Sequence, residues 1–136
     1  MHIAIVLIKQ GDDFILQRRG HGENIGSPGL IGCFGGKVDT AESPKDAACR
    51  EVREETNLDI TGMNLTEVAS FNIRDSLRGT TYDIKVDAYS VAIPVGMEVR
   101  AREGSLVRLA HTKAVQFLGE MTPATSKLFK IMYKEK

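Results

Sequence analysis

Two adjacent glycines, Gly35 and Gly36, lead within a few residues into "SPKDAACREVREETNL", a segment whose start, end and faces are all specified by residue type. Ser43 is suited to cap the first orphaned amides of a helix, Pro44 fits the first helical position, and Asp46 sets a negative charge at the positive end of the helix dipole. The helix is expected to begin at residue 44 and to end near Asn57, with that asparagine in the left-handed conformation. At about 100° per residue, Ala48, Cys49, Val52 and Thr56 form an apolar stripe, and Glu51, Glu54 and Glu55 share a neighbouring arc of roughly 100°. One face can therefore pack on a sheet while the next aims its carboxylates at a common point. Such a cluster repels itself unless a cation lies among the oxygens, and hard oxygen ligands suit magnesium. Ala47 and Ala48 are small enough for another backbone to come close, and glycine lets a carbonyl reach a metal or a phosphate. An ordinary Arg50–Glu54 pair on a solvated face would account for part of the same pattern.

The flanking sequence supplies the sheet. "HIAIVLIK" and "DFILQRR" read as a hairpin turning at Gln10, Gly11 and Asp12, and "GHGENIGSPG" reads as a long surface loop. "LIGCF" reads as one short buried strand, followed after the helix by strands at "TEVASFNI", "TTYDIKVDAYSVAI" and "LVRL", with "VRAREGS" as a polar loop. Thr122 and Pro123 open a second helix whose apolar stripe is Leu128, Phe129, Met132 and Tyr133. These elements predict a mixed sheet with helices on its two faces.

The 136 residues fit one domain, residues 1–136. Eighteen basic residues balance eighteen acidic ones, which argues against an extended nucleic-acid surface but leaves room for a small charged substrate. "MHIAIVLI" has no basic leader and runs into "KQGDDF", so it reads as neither a signal peptide nor a membrane span. Cys33 and Cys49 lack metal or redox spacing and read as reduced thiols, which fits the cytoplasm. His2, His21 and His111 share no ligand spacing.

Gly36, Glu42, Arg50-Glu51-Val52, Glu54-Glu55 and Asn57-Leu58 stand at the spacing G-x5-E-x7-R-E-U-x-E-E-x-G-U, with U aliphatic. The segment thus resembles the Nudix box, departing from it at Asn57, where the family has glycine. Ala41 and Asp39 also differ from common choices in the variable part of the loop. The resemblance covers essentially the whole chain. It implies an α/β/α sandwich and a magnesium-dependent hydrolase, with manganese as a substitute ion, acting on a nucleoside diphosphate linked to a further group.

The resemblance also implies roles. Glu51, Glu54 and Glu55 with the carbonyl of Gly35 would bind the metal, while Arg50 and Glu42 would hold the glutamates and the loop in place. A general base is expected at Glu103 in "REGS", with Glu98 and Glu54 as rivals, and a plain surface glutamate reads equally well at Glu103. Arg19 and Lys37 are candidates for substrate binding and equally for solvated charges. "GCFGGKV" and "QRR" are similar to enzymes that hydrolyse oxidised purine nucleotides. In "TPATSKL", however, Thr125 takes the place of a base-reading asparagine, and a hydroxyl cannot present an amide's paired donor and acceptor. A MutT-like nucleoside triphosphate pyrophosphohydrolase, monomeric or homodimeric, is expected. The alternatives are an ADP-ribose or dinucleoside-polyphosphate pyrophosphatase and a nucleotide-sensing module without catalysis.

Overall fold

The computed structural model describes residues 1–20 and 27–134. The expected hairpin opens the chain: β1 (His2–Gln10) and β2 (Asp13–Arg18) pair antiparallel with Ile8 opposite Ile15, and Gly11 turns the chain at φ 61°. Most of the expected surface loop, including His21, lies outside the described residues. The single strand expected over "LIGCF" is instead two, β3 (Ile31–Gly32) and β4 (Phe34–Lys37). The break at Cys33 has a topological cause. β3 pairs with β2, whereas β4 pairs with β1 from Ile3 to Val6, so the chain changes partner between them.

Helix α1 (Pro44–Glu55) starts where expected, with Ser43 Oγ accepting from Asp46 N at 3.1 Å. It ends differently. Thr56 is extended at φ −138° and forms a bridge to Ala101, and Asn57 is not left-handed. Beyond α1 come β5 (Thr66–Leu77), β6 (Thr80–Ile93), β7 (Ser105–Ala110), a 3-10 helix at Ala114–Glu120 and α2 (Pro123–Met132). β5 continues through Leu77 rather than stopping at Ile73, because Arg78 and Gly79 adopt φ 53° and 78° and close a two-residue hairpin onto Thr80. The polar "RDSL" carried no apolar alternation to announce it. Nor did the short 3-10 helix, whose start has no side-chain cap.

The sheet has the order β3-β2-β1-β6-β5, with β4 beside β1 and β7 beside β2; β1 and β6 run parallel and the other pairs antiparallel. β1 is buried on both faces, which explains its unbroken apolar run. Ala4, Val6 and Ile8 join Val52 and Phe34 under α1, while Ile5 and Leu7 join Leu128 and Phe129 under α2. α2 begins at the expected Thr122 cap, and its Phe129 ring meets Phe14 edge-on at 5.3 Å. Tyr133, expected in the apolar stripe, is the C-cap residue, 39% exposed, with its ring stacked on Phe129.

On the α1 side, His2 Nε2 donates to the buried carboxylate of Asp87. Burial pushes the Asp87 carboxyl up, but hydrogen bonds from His2 and Ser70 outweigh it and hold the group below its usual value. A carboxylate depressed in the folded state contributes stability that is present at neutral pH and lost as pH falls below about 4. Asp87→Asn is therefore expected to lower the melting temperature near neutrality and to flatten its decline between about pH 5 and pH 3, as read by thermal denaturation across that range.

Candidate active site

Every N–H donor of the Arg50 guanidinium is engaged. Nε and Nη2 grip Glu42 Oε2 and Oε1 at 2.9 and 3.1 Å, and Nη2 also donates to the carbonyl of Lys37 at 2.9 Å. Nη1 donates to Glu51 Oε1 at 3.0 Å and to Glu54 Oε1 at 3.2 Å. Asp39 stands 3.6 Å away. Glu42 in turn accepts from Asp39 N at 3.0 Å, closing the loop that leads into α1. The hydrogen bonds from Arg50 hold the Glu42 carboxyl below its usual value. Arg50 and Glu42 thus tie the loop to the helix, and Asp39 joins a contact that the sequence reading did not assign.

The glycine pair brings the strand against the acid face. A side chain on Gly36 would place its Cβ 2.5 Å from the Glu51 carboxylate, and one on Gly35, at φ 151°, would lie 2.2 Å from the carbonyl of Ala4. Gly35 N donates to Glu55 Oε1 at 2.9 Å. Burial raises the Glu55 carboxyl to about 8, against that hydrogen bond, and the charges of Glu51 and Glu103 raise it further while Arg19 opposes them. Glu51 is also raised, first by burial, against its bond from Arg50, with Glu54 and Glu103 adding repulsion. Arg50 at Glu51 and Arg19 near Glu55 therefore offset burial and repulsion only in part, and a divalent cation would supply further positive charge. Glu54 is more exposed, with its carboxylate on Arg50. Among the described residues no three His, Cys, Asp or Glu side chains converge in ligand geometry; half-buried Glu51 and buried Glu55, beside the Gly35 backbone, are the groups that could hold such an ion.

Glu103 is delivered by a loop fixed at several points. Arg102 N donates to Glu55 O at 2.7 Å, Arg102 Nη1 to Arg53 O at 2.8 Å, and Gln17 Nε2 to Glu103 O at 2.9 Å. Gly104 follows at φ 63°, where a Cβ would lie 2.3 Å from Arg18 O. Glu98, the rival base, has its carboxylate on Arg100 at 2.8 Å.

A cavity of about 380 Å³ lies on the α2 side of the sheet. The Gly35–Gly36 backbone, Arg19 and Lys37 line it, as do Tyr82 and Asp75. The same two glycines thus border both this space and the glutamates. Thr125 lines it too, but its Oγ1 accepts from Cys33 N and from Thr122 Oγ1, both at 2.9 Å. The sequence reading missed Asp75 and Tyr82. The alternation of Phe71, Ile73 and Asp75 along β5 was the available signal for the first.

The family description "NUDIX domain" matches residues 1–122, and the chain belongs to that family. No curated protein matches the chain by sequence. Among solved structures, the MutT protein from Methanosarcina mazei Go1 superposes with a TM-score of 0.67 at 26% identity, covering 99% of this chain and 96% of that one. The E. coli dihydroneopterin triphosphate pyrophosphohydrolase gives a TM-score of 0.76 at 15% identity, covering 96% and 92%. The bifunctional NMN adenylyltransferase/ADP ribose pyrophosphatase from Francisella tularensis, complexed with AMP and a manganese ion, gives 0.68 at 17% identity, covering 96% of this chain and 40% of that one. The protein is a Nudix hydrolase, an enzyme acting on phosphoanhydride bonds.

Asn57 occupies the last glycine position of the Nudix box. Its Oδ1 accepts from Arg100 N at 2.7 Å and its Nδ2 donates to Glu98 O at 3.0 Å, beside the backbone bond from Asn57 N to Arg100 O at 3.2 Å. Asn57→Gly would keep only the backbone bond. Two lost hydrogen bonds at about 0.5–1 kcal/mol each predict roughly 5- to 30-fold faster exchange at the Arg100 amide with little change in global melting, measured by hydrogen exchange.

Proposed function

We propose that this Nudix hydrolase is a MutT-like nucleoside triphosphate pyrophosphohydrolase that uses magnesium, or manganese in its place, and releases a nucleoside monophosphate and pyrophosphate. The observation that carries the reading is that the bare Gly35–Gly36 backbone lies against the glutamate cluster and also lines the cavity. Arg19 and Lys37 lie at that junction, where a phosphate chain would run, and the apolar walls beyond would accept a base. Triphosphate chemistry in the name of the E. coli neighbour fits this arrangement. The free thiols of Cys33 and Cys49 fit a reducing cytoplasm. Among the described residues no helix is long and apolar enough to cross a membrane.

A divalent ion beside Glu51 and Glu55 would neutralise charge developing on the phosphoryl oxygens. Water adds to phosphorus, the bridging P–O bond breaks toward pyrophosphate, and a carboxylate takes the water's proton. Glu103 is the better base. Its charge reaches both Glu51 and Glu55, whereas Glu54 is held by Arg50 and Glu98 by Arg100.

Assayed on nucleoside triphosphates, ADP-ribose and dinucleoside polyphosphates, the protein should release a monophosphate and pyrophosphate fastest from a triphosphate with magnesium or manganese present, and should stop on addition of EDTA. Turnover unaffected by EDTA would refute the metal requirement, and a preference for ADP-ribose would replace the substrate assignment. Glu103→Gln should lower kcat by about 10²- to 10⁴-fold with a smaller change in KM. A mild effect there with a large loss in Glu54→Gln would transfer the role of base to Glu54.

A further inference from the structure

The cavity changes character from one side to the other. β4 pairs with one edge of β1, and β6 and then β5 lie beyond the opposite edge, so Asp75 on β5 is three strand spacings, roughly 14 Å, across the sheet from the glycine pair, and five residues along the strand from Ser70, which shares the level of Gly36. The near side carries Arg19 and Lys37. The far side carries Asp75 directly across the ladder from Tyr82, flanked by Ile73 and Ile84. Asp75 is the one carboxylate among the described residues lining the cavity.

Asp75 is half-buried, and its described hydrogen bond is a single one, with Oδ1 accepting from Ser76 N at 2.8 Å. Its neighbour Arg74 pairs with Asp83 instead. A carboxylate has about four acceptor positions, so most of the capacity of Asp75, at the cavity wall, is not taken up by its hydrogen bond to Ser76 N. The Thr125 hydroxyl, which also lines the pocket, has its acceptor positions taken by Cys33 N and Thr122 Oγ1 and keeps only its O–H to donate. A base at the Asp75 end of this cavity would therefore meet an aromatic ring, isoleucine walls and a carboxylate that only accepts.

We infer that Asp75 is the specificity-determining residue of this enzyme and that it selects a ring presenting two adjacent N–H donors, the guanine-type 2-amino-4-oxopyrimidine edge. Ring N–H and exocyclic amine together match the two oxygens of one carboxylate. Adenine and cytosine present a donor beside an acceptor, and thymine a donor between two acceptors, so each sets at least one lone pair against the carboxylate. Tyr82 offers stacking that any flat base accepts. The inference rests on the proposed reading of the cavity as a nucleotide site, and it deepens that reading by naming the base.

Two measurements separate the assignment of the base from that of the reaction. The first is kcat/KM for dGTP, dATP, dCTP and dTTP with magnesium; the second is equilibrium binding of dGMP, dAMP, dCMP and dTMP, which needs no turnover. Wild type should favour the guanine member of each set by about ten-fold or more. Asp75→Asn should lower the guanine values by roughly 10- to 100-fold, chiefly through KM, and change the other three by less than about three-fold. Tyr82→Leu should weaken all four alike and leave the preference in place. Selective dGMP binding that depends on Asp75, without triphosphate hydrolysis, would keep this inference and overturn the proposed reaction. Hydrolysis without guanine preference, or an equal loss for all bases in Asp75→Asn, would overturn the inference and leave the reaction standing.

Discussion

The Arg50 guanidinium joins three pieces of chain that would otherwise drift apart. Its planar fork reaches Glu42 in the loop, the Lys37 carbonyl at the end of β4, and Glu51 and Glu54 on its own helix. Single pairs as exposed as these contribute only about 0–1 kcal/mol, so their role is geometric more than energetic. A lysine could not replace the fork, having a compact ammonium with no planar array of donors. With the loop tied down, Gly36 is brought so close to Glu51 that no Cβ fits between them, and Gly35 can donate to Glu55.

From that fixed point the electrostatics of the site follow. Arg50 compensates Glu42 well, and Glu54 is exposed, but Glu51 and Glu55 are partly or largely removed from water and face each other and Glu103. Their carboxyls are therefore held above the usual range. The fold accepts this cost because both groups lie on a helix whose opposite face is packed through Ala47, Ala48 and Val52, with no exposure at all. Packing on one face holds the under-neutralised charge on the other.

The loop at residues 98–104 shows how a departure from a family pattern is absorbed. Glycine in the box leaves only a backbone to bond, whereas Asn57 adds an acceptor and a donor that bind Arg100 and Glu98. Together with Arg102 on Glu55 and Arg53, they fasten the segment carrying Glu103 to the end of α1.

The sequence by itself determined the local elements and the acid face. Ser43, Pro44 and Asp46 mark the start of α1, Thr122 and Pro123 the start of α2, and the alternation and apolar runs mark the strand centres, because caps and periodicity are local physics. Helical spacing likewise placed Arg50, Glu51, Glu54 and Glu55 near one another, since i, i+3 and i+4 positions on one helix are neighbours, while Gly35 beside them was implied only by the family resemblance. What only the tertiary structure decided depends on pairing between distant segments. The split at Cys33 comes from a change of strand partner, the extended end of α1 from the bridge between Thr56 and Ala101, and the commitment of Thr125 from its contact with Cys33. Asp75 and Tyr82 meet only because a polar hairpin continues past the last apolar residue that announced it. No local preference encodes those contacts; they follow from which strand edge is left for each segment to pair with once the two cores have closed.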